Sequence, residues 1–370
     1  MVGAKEIFNV LEEHFPVGLA EEWDNVGLQL GSCQKEVSRV MVALDTDRNT
    51  VRQVQEKRVD LLVTHHPLFF KSVDSLNFDT PQGWLAGELT RAGVTVYAAH
   101  TNLDAAPGGL NQFLAEKLGL EEITPFQRGR EEHLFKLVVY IPRTHLEEVR
   151  EAICTAGAGF IGSYSDCTFR VAGTGTFMPR EGSHPFIGEV GRVEEVEEYR
   201  LETVVPERRL SAVLGAMWSV HPYEEVAYDL YRLSNRGIIH TPGRRGLLPE
   251  PMNLNELAEL VKRRLNLPYV LVVGDGEDRV RQVGVVSGSG ASFLRQARAE
   301  GLDVLVTGDL KYHDARDAEA LGLNVIDAGH YGTEIVVVQL LAGLLQREAK
   351  ARKWGIEVIE ASSQPPVRLA

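Results

Sequence analysis

Asp60-Leu61-Leu62-Val63-Thr64-His65-His66-Pro67 decides the fold. An apolar run with no polar alternation reads as a strand buried on both faces, the signature of a parallel sheet covered by helices. The flanking sequence agrees. Val40-Met41-Val42-Ala43-Leu44 and Val94-Thr95-Val96-Tyr97-Ala98-Ala99 are two more such runs. Helical patterns cover 50–58 and 83–91 between them, 4–15 ahead of them and 108–118 behind them.

The last third repeats the style. Helices are expected over 254–265, 291–300, 315–321 and from 334 to about 353. Strands are expected at Val270-Leu271-Val272-Val273, Val283-Gly284-Val285-Val286, Val304-Leu305-Val306-Thr307 and Val325-Ile326-Asp327. Asp303-Val304-Leu305-Val306-Thr307 nearly copies Asp60-Leu61-Leu62-Val63-Thr64, which points to two related halves.

Between them, about 131–235 has a different texture. Strands are expected over 134–141, over 164–177 with a glycine break, within 190–205 as one strand or two, and over 226–233. Helices are expected over 145–154 and 207–218. Strand-helix-strand twice over predicts a ferredoxin-like unit. Gln127-Arg128-Gly129-Arg130 and Ser234-Asn235-Arg236-Gly237 are the junctions. The expected division is therefore 1–128, an insert at 129–236, and 237–370. The fold class is α/β, two related halves with mainly parallel sheets flanked by helices, plus an inserted ferredoxin-like α+β domain.

The 370 residues allow two or three domains, and 44% hydrophobic with 25% charged residues is a globular composition. The net charge of -13 argues against nucleic acid or an anionic membrane as partner. Cys33, Cys154 and Cys167 are too scattered for a disulfide framework or a zinc ribbon and read as buried thiols. Met1-Val2-Gly3-Ala4-Lys5-Glu6 has no basic segment followed by an apolar run, and 335–345 is too short to span a bilayer, so a soluble cytoplasmic protein is expected.

His65-His66 alone is unremarkable, since 11 histidines in 370 residues give roughly 0.3 adjacent pairs by chance. Its position says more. Ligands bind beyond the carboxyl ends of parallel strands, and the next strand ends in His100-Thr101-Asn102-Leu103-Asp104. Asp104 before Pro107 also fits a turn. Gly329-His330-Tyr331-Gly332-Thr333-Glu334 then follows the strand ending at Asp327. His330 and Glu334 share a face if that turn is helical, and Glu334 also suits a helix dipole. Three imidazoles and two carboxylates, with His100 in reserve, exceed the needs of one ion and suit two. Mixed imidazole and carboxylate favours zinc, iron, manganese, cobalt or nickel over calcium or magnesium.

At this point the chain resembles the Nif-three-like family of dinuclear-metal hexameric proteins, the GTP cyclohydrolase I type 2 homologs. The motifs are Trp23-Asp24-Asn25-Val26-Gly27-Leu28-Gln29, Thr64-His65-His66-Pro67-Leu68-Phe69 and His100-Thr101-Asn102-Leu103-Asp104. To these are added Thr307-Gly308-Asp309-Leu310-Lys311-Tyr312-His313-Asp314 and Asp327-Ala328-Gly329-His330-Tyr331-Gly332-Thr333-Glu334. The middle segment resembles the copper-tolerance and nitrogen-regulator (PII-like) type of ferredoxin-like domain, with His221-Pro222-Tyr223-Glu224-Glu225 as the cue. The resemblance implies two metals held by His65, His66, Asp104, His330 and Glu334, with Glu334 bridging. It also implies a toroidal homohexamer with its metal sites facing an internal cavity.

Three functions follow as expectations. The first is a metal-dependent hydrolase in which a metal-activated water attacks the imidazole ring of the guanine of GTP. His100 and His313 are its proton-shuttle candidates, although His100 equally fits a residue that orients a ligand. Lys311 is a candidate phosphate contact, and Gly288-Ser289-Gly290 a phosphate-cradling turn. The second is a non-catalytic metal-binding or regulatory module, with His184, His221 and Glu224 as ligand-binding candidates in the insert. The third is a phosphodiester or nucleotide hydrolase.

Overall fold

The computed structural model describes residues 1–71, 73–127, 129–235 and 237–367. Two compact units emerge: Met1–Gly129 with His240–Ala370, and Arg130–Ile239. Arg128 and Arg236 of the expected junctions lie outside the described residues.

The first unit opens with α1 (Ala4–His14), β1 (Gly27–Leu30), β2 (Arg39–Ala43), α2 (Arg48–Glu56) and β3 (Leu61–Thr64). It continues with α3 (Pro81–Arg91), β4 (Thr95–Ala98), α4 (Thr101–Ala105), α5 (Leu110–Leu118) and β5 (Glu121–Pro125). The second unit carries β6 (Leu134–Pro142), α6 (Leu146–Thr155), β7 (Thr168–Phe177), β8 (Glu194–Pro206), α7 (Leu210–Val220) and β9 (Tyr228–Arg232). The first unit then resumes with β10 (Arg244–Asn253), α8 (Leu254–Leu265), β11 (Leu271–Val273), β12 (Arg279–Ser289), α9 (Leu294–Ala299) and β13 (Val304–Gly308). It ends with α10 (Tyr312–Leu321), β14 (Asn324–Asp327), α11 (His330–Glu334), α12 (Val336–Ala351) and β15 (Glu357–Glu360).

One sheet of the first unit runs β15-β2-β3-β4-β1, with only β1 antiparallel to its neighbour. The helices between its strands start where side chains satisfy their first N–H groups: Asp47 accepts from Thr50 at α2, and Thr80 accepts from Gly83 at α3, where Pro81 follows.

The other sheet runs β11-β14-β13-β12-β10-β5. Here only β12, β13 and β14 are parallel; the outer pairings are antiparallel. The sheet is therefore mixed rather than mainly parallel. β10 and β5 escaped the sequence reading because neither is an apolar run: β10 begins Arg244-Arg245, and β5 is mostly exposed. One core serves both sheets. Val40, Val42, Leu61 and Val63 pack in one cluster with Val283, Val285, Val304, Val306 and Ile326 and with the apolar faces of α5, α8 and α12.

In the second unit, four antiparallel strands lie in the order β7-β8-β6-β9. Leu137, Val139, Leu201 and Val205 of the sheet pack on Val149 and Ile153 of α6 and Val213 and Met217 of α7. The expected glycine break does not interrupt β7, which pairs with β8 straight through Gly173 and Gly175. Among the described residues no helix is long and apolar enough to cross a membrane.

Candidate metal centre

β3 and β4 are parallel neighbours, so the residues after them emerge side by side. The ladder continues past the strand: His65 N–H donates to Ala43 O and His66 N–H to Leu44 O. This puts the His65 and His100 rings 5.0 Å apart and those of His66 and His100 5.4 Å apart. The other sheet supplies the rest of the cluster. After β14, Gly329 takes φ +75° and the chain turns at once into α11. His330 and Glu334 thus lie one turn apart on one helix, with His330 Nε2 at 2.9 Å from Glu334 Oε2. The helix expected from residue 334 onward begins four residues sooner for this reason.

The two sets meet. Glu334 Oε2 lies 3.0 Å from His66 Nε2, and Glu334 Oε1 lies 3.9 Å from His65 Nε2. Asp104 Oδ1 lies 3.7 Å from His65 Nε2. Potential ligand atoms gather in two groups that share His66: His65, His66 and His100, and His66, His330 and Glu334. His100, held in reserve by the sequence reading, is inside the cluster. His313 is not among the clustered atoms; it is exposed on α10, its ring against Tyr312.

Each imidazole is oriented through Nδ1. His65 Nδ1 meets Ala99 O at 2.9 Å, and His66 Nδ1 meets Asp45 Oδ1 at 2.7 Å. His100 Nδ1 meets Asp24 Oδ1 at 2.9 Å, and His330 Nδ1 meets Asp309 Oδ2 at 2.7 Å. A carbonyl or carboxylate can only accept, so in the neutral rings the proton sits on Nδ1 and the lone pair on Nε2. His65 Nε2 and Asp104 Oδ1 are then buried without a hydrogen-bond partner, and Glu334 Oε2 has a donor only when His66 or His330 is protonated at Nε2. Acceptors facing acceptors in a buried site are costly, and a cation among them removes the conflict.

The electrostatics run the same way. Burial, with His100 and His66 beside it, pulls His65 down to about 3, so it is a neutral imidazole. Burial opposes the charging of His66, but the hydrogen bonds to Asp45 and Glu334 outweigh it and raise His66 to about 10. The hydrogen bond to Glu334, against burial and with help from Asp309, raises His330 to about 9. Burial would raise Glu334, yet the contacts with His330 and His66 hold it well below the carboxylate range. Burial and the Glu334 charge push Asp104 well above that range. Protons on the two Nε2 atoms and a metal cation therefore compete for the same lone pairs, and metal binding releases protons.

The loops explain motifs that carry no ligand. Asp24 also accepts from the Thr101 N–H; burial would raise it, but His100 and Thr101 bring it to about 2. Asn25 Nδ2 donates to Phe69 O at 2.6 Å, and Gln29 Oε1 accepts from the Phe69 N–H, so the Trp23–Gln29 motif fixes the loop after His66. Asp327 accepts from the N–H groups of Leu310 and Gly329 and ties together the loops of Asp309 and His330. The Arg244 guanidinium is buried and donates to Ala105 O, Ala106 O, Thr241 O and Gly243 O, clasping the end of the helix that bears Asp104. Asp45, Asp309 and Arg244 were missed in the sequence. The signal available was an acid within two residues of a strand's carboxyl end, at Asp45 after β2 and Asp309 after β13.

The candidate phosphate cradle has its donors engaged elsewhere. Gly288 N–H donates to Thr333 Oγ1 and Gly290 N–H to Thr307 Oγ1, so these donors are already used. Gly288 has φ +61°, and a Cβ there would stand 2.3 Å from Glu334 Oε1. The turn is shaped around a carboxylate. Lys311 is exposed at the start of α10, where its N–H donates to Asp314. In the second unit, His221 Nε2 bonds Tyr140 O and Nδ1 accepts from the Tyr223 N–H, so both nitrogens serve the fold. The backbone N–H of His184 donates to Glu224.

Comparisons with known proteins agree with this architecture. The pattern of the Duf34/NIF3 (NGG1p interacting factor 3) family matches residues 2–366. A Halalkalibacterium halodurans protein called GTP cyclohydrolase 1 type 2 homolog is 41% identical over 362 residues, 98% of this chain and 97% of that protein. A Bacillus subtilis protein of the same name is 44% identical over 357 residues, 96% of this chain and 95% of that protein. The crystal structure of a Bacillus cereus protein related to NIF3 superposes with a TM-score of 0.90 at 40% identity, covering 100% of this chain and 99% of that one. The chain belongs to the Duf34/NIF3 family.

Proposed function

We propose that this protein holds two divalent transition-metal ions through His65, His66, Asp104, His330 and Glu334, with Glu334 bridging, and that it is a hydrolase of the kind its relatives' name describes. One observation carries the metal reading: four imidazoles turn Nε2 inward around the buried carboxyl groups of Glu334 and Asp104, and His65 Nε2 and Asp104 Oδ1 are buried there without a hydrogen-bond partner. The two oxygens of Glu334 face different imidazoles, which supports the bridging role. The relatives named GTP cyclohydrolase 1 type 2 homolog support a guanine nucleotide as substrate.

When bound, such a pair of ions supplies Lewis-acid charge and a water acidic enough to react near neutral pH. The chain's own residues do the rest. His100, fixed at Nδ1 by Asp24, can take or give a proton at Nε2. Trp23 and Phe70 stand with their rings 6.0 and 5.8 Å from His100, and both are exposed, offering apolar walls to a flat ring. His313, exposed on α10 with its ring against Tyr312, is the second proton-shuttle candidate.

The unit Arg130–Ile239 is read in the same proposal as an inserted ferredoxin-like domain, supported by its β-α-β-β-α-β order. The resemblance also carries a toroidal homohexamer, which light scattering tests directly.

The test of function measures metal per chain and formate release from GTP, for the protein and for a His65→Ala, Glu334→Ala double variant. Two ions and turnover lost in the variant are expected. Two ions without turnover on GTP or phosphodiesters would leave a non-catalytic metal protein. One ion or none refutes the dinuclear site.

A further inference from the structure

The unit Arg130–Ile239 contains a cavity of about 430 Å³ that the metal centre does not use. That volume suits a small organic ligand. Its walls carry four aromatic rings, Tyr140, Phe177, Phe186 and Tyr223. They also carry three carboxylates, Glu198, Glu224 and Glu225, and no lysine, arginine or histidine is among the lining residues described.

The arrangement is built rather than incidental. Tyr223 sits at the centre of the rings, 6.2 Å from Phe177 and 6.3 Å from Phe186, tilted by 54° and 50°. Tilted rings form walls, not a closed stack. The Tyr223 hydroxyl donates to Glu198 Oε1 at 2.8 Å, which holds that carboxylate at the cavity. The other oxygen, Oε2, rests over Gly175 of β7, where a Cβ would stand 2.0 Å away. Among the described residues no basic side chain pairs with Glu198 or Glu225. The segment 178–193 between β7 and β8 supplies further wall through Pro179, Pro185, Phe186 and Ile187. It is pinned by the His184 N–H, which donates to Glu224 at 2.8 Å.

Aromatic faces attract cations through their negative quadrupole, and carboxylates without a basic partner do the same through charge. A phosphate-bearing ligand would meet three carboxylates and no basic side chain among the described lining residues to offset them. We propose that this cavity binds a small organic cation, an alkylammonium group on an apolar body, between the tyrosine and phenylalanine rings and Glu198.

Calorimetric titration of the full-length protein tests this. The probes are choline, butyltrimethylammonium and spermidine, set against 3,3-dimethyl-1-butanol (the neutral carbon isostere of choline) and ATP. At least one cation is expected to bind saturably, one per chain, and the isostere about tenfold or more weaker. Glu198→Gln and Tyr223→Leu should each weaken the cation about tenfold, with metal content and thermal unfolding unchanged. Gly175→Ala, which pushes on Glu198 without removing a polar group, should weaken it as well. The proposal is overturned if no cation binds, if the isostere binds as well, if ATP binds more tightly than any cation, or if the variants bind as the parent does.

Discussion

His66 Nδ1 stands 2.7 Å from Oδ1 of Asp45, and this contact decides that Nε2 faces Glu334. The ring is held by a carboxylate on a different strand end, so its tautomer and direction are set before any ion arrives. Removing such a partner costs metal sites roughly 10- to 100-fold in affinity. Asp45→Ala is expected to weaken metal binding by that factor in chelator competition, and Asp309→Ala to do the same through His330. Unchanged affinity in both would mean that the imidazoles orient themselves.

Much of the site's location was legible in the sequence, and little of its support. Leu61-Leu62-Val63-Thr64 and Val304-Leu305-Val306-Thr307 read as buried strands because no polar residue interrupts them, and His65 and His66 follow the first directly. Asp45, Asp24 and Asp309 were not legible as partners of the histidines. An acid in a loop beside a strand end reads equally as a turn residue, and its partner lies 21 to 76 positions away. Gly288-Ser289-Gly290 could be read only as a candidate phosphate turn, because positive φ around a carboxylate and around a phosphate leave the same sequence trace.

Gly288→Ala tests the carboxylate reading of that turn. The left-handed φ costs a non-glycine residue about 1 kcal/mol, and the new methyl lands on Glu334 Oε1. Because the carboxylate tip can swing aside more easily than the backbone can move, the protein is expected to remain folded with a small drop in melting temperature. Metal affinity should fall at least about tenfold, since Glu334 is displaced. A variant that keeps both ions at parental affinity would show that the turn tolerates bulk and that Glu334 is not confined by it.

Arg244 tests the support of Asp104. Its guanidinium donates to four carbonyl oxygens, and two of these, Ala105 O and Ala106 O, end the helix that carries Asp104. Burial lowers it to about 10, so it remains charged at neutral pH. Arg244→Met takes the guanidinium donors from Ala105 O and Thr241 O, while Ala106 O still accepts from the Gly109 N–H and Gly243 O from the Phe126 N–H; the expected loss is about 2–4 kcal/mol in chemical denaturation. Arg244→Lys keeps the charge but cannot span both pairs of carbonyls, and is expected to fall between. Equal stability of all three proteins would remove Arg244 from the framework.

Asp24 gives the pH dependence. Its pKa falls from an ordinary 3.8 to about 2 in the folded chain, where His100 and Thr101 bind the ionised form. A group with a depressed folded pKa binds fewer protons folded than unfolded, so the stability it contributes is fully present above the unfolded value and is lost as pH falls through the folded one. The window is therefore pH 4 down to pH 2. The Asp24 side chain is buried against His100, so the contribution is about 2 kcal/mol. In denaturant titrations of the metal-free protein, the parent should exceed Asp24→Asn by this amount near pH 6. The gap should close between pH 4 and pH 2. A gap that stays constant to pH 2 would assign the effect to the lost geometry of His100 and Thr101 rather than to the charge on Asp24.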